Sequence, residues 1–65
     1  MLFEEFFNRI DNPKDITWII QDNTVNAQDV YKGIDVCPAD YLKINHFEVY
    51  VENGEICIYT SCERI

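Results

Sequence analysis

The stretch from His46 to Thr60, HFEVYVENGEICIYT, sets Asn53-Gly54 between two runs that alternate apolar and polar residues. Asn-Gly accepts positive φ at both central positions of a type I′ turn, whose twist matches that of the strands it joins. A two-residue turn fixes register, so Glu52 must face Glu55, Val51 face Ile56, and so on outward to His46 and Ser61. Because successive side chains point to opposite faces, Phe47, Val49, Val51, Ile56, Ile58 and Thr60 share one face, expected to be the core. His46, Glu48, Tyr50, Glu52, Glu55, Cys57, Tyr59 and Ser61 share the other.

At the other end of the chain, apolar residues fall at Leu2, Phe3, Phe6, Phe7 and Ile10 with charge between them, a helical stripe that Asn12-Pro13 should end. Glu4 and Glu5 stand favourably at the positive end of that helix dipole. Residues Ile16 to Gln21 admit two readings: Asn12-Pro13 could begin a second helix, yet the β-branched and aromatic residues favour a strand, which we expect. Asp22, Asn23 and Thr24 make a polar break. Asn26 with Asp29 has the form of a capping pair for a short helix to about Lys32, and Pro38 suits the first position of another, to Asn45.

Residues Thr24 to Ile44 resemble a helix-turn-helix. Ala27, Val30, Ile34 and Val36 fall where that motif carries its packing residues, and Pro38 opens the would-be recognition helix. Gly33 stands where a small helical residue is usual and costs about 1 kcal/mol of helix stability against Ala. Asp35 replaces the common turn glycine but tolerates a left-handed conformation. Over residues 24–62 the order of elements is similar to a winged helix, with Asn53-Gly54 at the wing tip. The expected architecture is therefore α+β: an N-terminal amphipathic helix, a short strand, two short helices and a C-terminal antiparallel hairpin in one domain, residues 1–65. That resemblance implies a DNA-binding fold, yet direct DNA binding is disfavoured. The would-be recognition helix offers one Lys against one Asp, and the wing carries Glu52 and Glu55 where phosphate contact wants Lys or Arg.

Charge points the same way. Twelve acidic residues against five basic ones give a net charge of −7, a negative potential that repels nucleic acid and anionic lipid and suits equally solubility alone or docking on a basic groove. With 48% hydrophobic residues and only two Gly, the chain has the composition of a folded domain. No apolar run approaches the ~20 residues of a membrane-spanning helix, and no basic segment precedes such a run. A cytoplasmic protein is expected, in the host cytoplasm if a phage encodes it, and three Cys, an odd number, are expected to be reduced thiols rather than a disulfide framework.

No motif for catalysis, metal or cofactor accompanies these features. His46 is the only histidine; the register places it about 13 Å from Cys57 at ~3.3 Å per residue, too far for a dyad. Cys57 and Cys62 are five positions apart and so point to opposite faces of a strand, unsuited to sharing a metal. Cys37, just before the expected helix at Pro38, is where a helix terminus would favour a thiolate. A glycosidase-like carboxylate pair needs a cleft that so short a chain seldom encloses.

The outer hairpin face remains. Glu48, Tyr50, Glu52, Glu55 and Tyr59 make it acidic and aromatic together, and Asp35 and Asp40 extend the acidity around Cys37-Pro38. Opposed Glu52 and Glu55 repel by a few tenths to ~1 kcal/mol unless screened or taken up by a basic group. One reading is edge protection against strand-to-strand aggregation. The other is a binding face, with tyrosines on a rigid sheet and carboxylates seeking Arg and Lys. The second leads to a non-enzymatic acidic protein that occupies a basic surface on a larger partner, such as a nucleic-acid-binding nuclease complex. In general character such a chain is similar to the small acidic inhibitors that phages and mobile elements make against host defence nucleases, anti-CRISPR and anti-restriction proteins among them, some of which mimic nucleic-acid charge. A winged-helix-like transcriptional regulator and a self-associating structural module are the alternatives, and oligomeric state stays open.

Overall fold

The computed structural model describes residues 1–65. The hairpin is its longest feature: β3, Leu42–Glu52, and β4, Glu55–Arg64, pair antiparallel in the expected register from His46↔Ser61 to Glu52↔Glu55. Asn53 (φ 52°) and Gly54 (φ 78°) both take the left-handed conformation that a type I′ turn demands.

The first helix also forms, as α1, Phe3–Asn8, shorter than its apolar stripe. A 3-10 turn at Pro13–Asp15 leads into β1, Ile16–Asp22, so the β-branched segment is a strand. Trp18 in β1 is fully buried beneath α1, its ring 5.8 Å from Phe3 and 4.8 Å from Phe7. Its indole N–H donates to the Pro13 carbonyl at 2.9 Å, giving the buried ring its polar partner.

The two middle helices do not form. Ala27–Tyr31 is a strand, β2, antiparallel to β1, and Pro38–Asn45 is loop followed by the start of β3. Asn26, expected as a helix cap, instead takes φ 53° at the end of the β1–β2 turn, a conformation Asn reaches more easily than most residues. The fold is thus a single four-stranded mixed sheet with one short helix, strand order β2-β1-β4-β3, with β1 and β4 parallel. The expected α+β domain with several helices in winged-helix order is corrected by these two segments: no helix pair lies between residues 24 and 45.

Because β2 and β3 occupy opposite edges, residues 32–41 must cross the sheet. They do so on the α1 side: Ala39 is buried in the core, and Ile34 and Cys37 pack against it. Core residues Trp18, Ile20, Leu42, Ile44, Ile58 and Cys62 point up from the sheet to meet Phe3 and Phe7. In β3 the buried positions are even-numbered at Leu42 and Ile44, yet the α1-facing positions become odd-numbered from Phe47. A register shift between Ile44 and His46 absorbs the extra residue and keeps both sets on one face.

That face is only half covered. Phe47 is 41% exposed, Val49 60%, Val51 69% and Ile56 48%, so four of the six hairpin residues expected in the core have the right direction and nothing above them. Phe47 still meets the Phe6 ring at 4.8 Å; beyond it α1 does not reach.

At the opposite end of the sheet, Asp22 is buried and answered on both carboxylate oxygens. The Thr24 amide donates to Oδ1 at 3.0 Å and Arg64 Nε to Oδ2 at 3.1 Å. Arg64 also lies 5.4 Å from the centre of the Tyr41 ring, and its amide donates to Thr24 Oγ1 at 2.9 Å. This cluster ties the end of β4 to the β1–β2 turn.

Candidate partner-binding face

Away from α1, the sheet has no second layer. The register lays out its rows: Val30, Ile19, Tyr59 and Glu48 across all four strands, Thr17, Cys57 and Tyr50 on one side of that row, and Gln28, Gln21, Ser61 and His46 on the other. Glu52 and Glu55 close the turn end. The five hairpin residues picked from the sequence, Glu48, Tyr50, Glu52, Glu55 and Tyr59, therefore do share one face, on adjacent strands.

Asp35 and Asp40 do not join them. Both sit on the loop that crosses the opposite, α1-covered side of the sheet, where Asp40 and Glu4 flank Cys37 closely enough to oppose its ionisation. The acidic residues expected to form one extended surface thus divide between two sides of the molecule.

Within the open face the carboxylates are not equivalent. Glu55 accepts hydrogen bonds from Lys32 Nζ at 3.1 Å and Thr17 Oγ1 at 3.1 Å. The Lys32 hydrogen bond first, then that of Thr17 and the Lys32 charge, hold its carboxyl below the ordinary glutamate value. The expected Glu52–Glu55 repulsion is relieved from within, because Lys32, brought in by β2, takes up one of the pair. Glu48 and Glu52 keep no Lys or Arg partner; Glu48 lies 3.4 Å from His46 Nε2, a bond that is ionic only when His46 is protonated. Between these two carboxylates stands Tyr50, its hydroxyl pKa raised by desolvation and then by the nearby Cys57, Glu52 and Glu48. It remains a neutral hydrogen-bond donor at physiological pH.

Next to the turn, the face dips into a shallow depression of about 330 Å³ whose lining includes Thr17, Ile19, Val30, Lys32, Glu52 and Glu55. Thr17, Ile19, Val30 and Lys32 were not picked from the sequence. The signal that could have found them was the pairing of β1 with a second strand, hidden once Ala27–Tyr31 was assigned to a helix.

The thiols are packing groups. Cys57 is buried on the open face and Cys62 on the core face, so the opposed directions follow the register. Burial pushes the Cys62 thiol up, and burial with Glu4 and Asp40 pushes Cys37 up despite a backbone hydrogen bond at Ala39. The helix start that would have favoured a Cys37 thiolate is absent, and the thiol is half-buried against the core. Ser61, the residue paired with His46, accepts a hydrogen bond at Oγ from Asn23 Nδ2 at 2.8 Å. No three His, Cys, Asp or Glu side chains converge in a way that would hold a metal ion.

Charge pairing sharpens the imbalance. Lys32–Glu55, Lys43–Glu63 and Arg64–Asp22 use three of the five cations and three of the twelve carboxylates, leaving nine carboxylates against Arg9 and Lys14. Compared with protein-family models, curated proteins and solved structures, the chain matches none. The site's own geometry must therefore carry the functional reading.

Proposed function

We propose that this protein is a non-enzymatic inhibitor that docks its open sheet face on a basic, nucleic-acid-binding surface of a larger protein and blocks it. The observation that carries this reading is the pair of carboxylates without a Lys or Arg partner, Glu48 and Glu52, set on either side of Tyr50 on an unlayered strand face. A rigid sheet fixes the spacing of these carboxylates, and the charge-assisted bonds they can accept from Arg and Lys are roughly twice as strong as neutral ones. Tyr50 and Tyr59 add contact area at low entropic cost. The surplus of unpaired carboxylates would steer the approach to a positive groove.

A basic groove that holds DNA or RNA in a defence nuclease is the partner class of this chemistry, which gives the protein an anti-CRISPR-like or anti-restriction role for a phage or mobile element, in the host cytoplasm. No helix of the chain is long and apolar enough to cross a membrane, which is compatible with that setting.

The test is capture from host extract by the unsubstituted chain beside a Glu48→Lys/Glu52→Lys variant, both positions being exposed and free of Lys or Arg contacts. A partner held only by the unsubstituted chain, and displaced by its own nucleic acid, is the expected result. Equal retention by the two chains, or no competition with nucleic acid, would count against the proposal.

A further inference from the structure

We infer that two copies of this chain pair antiparallel through the free edge of β3, forming one continuous eight-stranded sheet centred on Val49. The edge is open and bounded. β3 is the last strand of the sheet, and only its first residues are met from outside, by the Leu2↔Lys43 bridge and the Ile44 amide, which donates to the Met1 carbonyl at 2.7 Å. The turn at Asn53-Gly54 closes the other end. Residues 46–52 remain, and their midpoint is Val49.

Backbone direction agrees. In a two-residue hairpin the residues flanking the turn form a hydrogen-bonded pair, and pairs then alternate. Glu52, Tyr50 and Glu48 thus spend their amides and carbonyls on β4, while Val51, Val49 and Phe47 aim theirs outward. Those three residues are also exposed apolar ones on the α1 side, an edge of the kind that recruits another strand.

Charge then selects the occupant and the register. When Val49 stands opposite Val49 of the second copy, Phe47 faces Val51, Glu48 faces Tyr50 and His46 faces Glu52. No carboxylate stands directly opposite another. A shift by one outward-facing residue in either direction sets Glu48 against Glu48 or Glu48 against Glu52, pairings that are destabilising when directly opposed. The register centred on the free segment is therefore also the one in which the edge is complementary to itself. Each Phe47 would lie beside the exposed Val51 of the other copy, and both open faces would look to the same side.

This inference does not depend on the proposed function, and salt separates them. Association of two bodies that each carry a charge of −7 strengthens as salt rises, whereas docking on a basic surface weakens. Sedimentation equilibrium of the full chain over a concentration series supplies the test, together with Val49→Lys and Val49→Glu, both at an exposed site, with circular dichroism to check the fold. The expected result is a reversible dimer of the 7.7 kDa chain. Each substitution alone, placing like charges at the two-fold axis, should weaken it at least about tenfold. An equimolar mixture of the two variants should restore pairing as a heterodimer. A monomer at about 1 mM, a dimer indifferent to both substitutions, or a mixture no tighter than its components would overturn the inference.

Discussion

The hairpin keeps one side turned toward α1 along its whole length, the parity of β3 changing at the register shift between Ile44 and His46, yet its two halves have different fates. At the root, Leu42, Ile44, Ile58, Thr60 and Cys62 are buried; toward the turn, Val49, Val51 and Ile56 point to the same side and are bare. Length accounts for the difference. A helix of six residues spans about 9 Å at 1.5 Å per residue, while the eleven residues of β3 extend over roughly 30 Å, close to the molecule's full length of 31 Å. Even with residues 32–41 laid beside it, so short a helix cannot roof so long a hairpin. Parity decides which way a side chain points; the extent of the covering layer decides whether it is buried.

The largest test of this contrast is Trp18→Ala against Val51→Ala. Removing the fully enclosed Trp18 should cost about 3–5 kcal/mol, most of the stability of a small domain near the low end of about 5–15 kcal/mol. Val51→Ala should stay within about 0.5 kcal/mol. Urea unfolding compares the two, and a large loss at Val51 would mean that the turn half is covered after all.

A narrower comparison uses adjacent inward positions of one strand. Ile58→Ala should cost about 2–4 kcal/mol and Ile56→Ala well under half as much, because only the first leaves a cavity. Asp22→Ala probes the root from its polar side. It removes the acceptor of the half-exposed Arg64 guanidinium and of the Thr24 amide and should cost about 1 kcal/mol by thermal melting, with Arg64→Ala coupled to it in a double-mutant cycle.

The smallest effect belongs to Glu55→Gln at the turn. The folded carboxyl titrates below the ordinary value of 4.5, so its contribution is fully present above that pH and is lost as pH falls through the lowered folded value. Melting curves of the two chains should differ slightly at neutral pH, converge in acid, and converge also at high salt. A difference that grew in acid would mean that Lys32 does not hold Glu55.

What the sequence made legible follows the same division. Asn53-Gly54 announced the turn, and register and facing followed from it; the Phe3 and Phe7 stripe announced α1, and the β-branched run announced β1. β2 escaped because Ala27–Tyr31 is an edge strand exposed on nearly every residue, so it carries no alternation, and its Asn and Asp imitate a helix cap. The start of β3 escaped for a different reason. Leu42 and Ile44 alternate correctly, but the extra residue at the register shift breaks the period before Phe47, and Pro38 suggested a helix in the gap. The candidate face was legible in its hairpin half alone. Lys32, which neutralises Glu55, and the crossing that carries Asp35 and Asp40 to the other side depend on strand order, and strand order is set by contacts distant in sequence.

The central claim is that the open face binds through the carboxylates of Glu48 and Glu52, neither of which has a Lys or Arg partner. It is tested most directly by titrating a captured partner with the unsubstituted chain and with Glu48→Lys/Glu52→Lys across a salt series. Binding of the unsubstituted chain should weaken steadily as salt rises, and charge reversal should both weaken it at low salt and flatten that dependence. An affinity that ignored salt and survived the reversal unchanged would contradict the account.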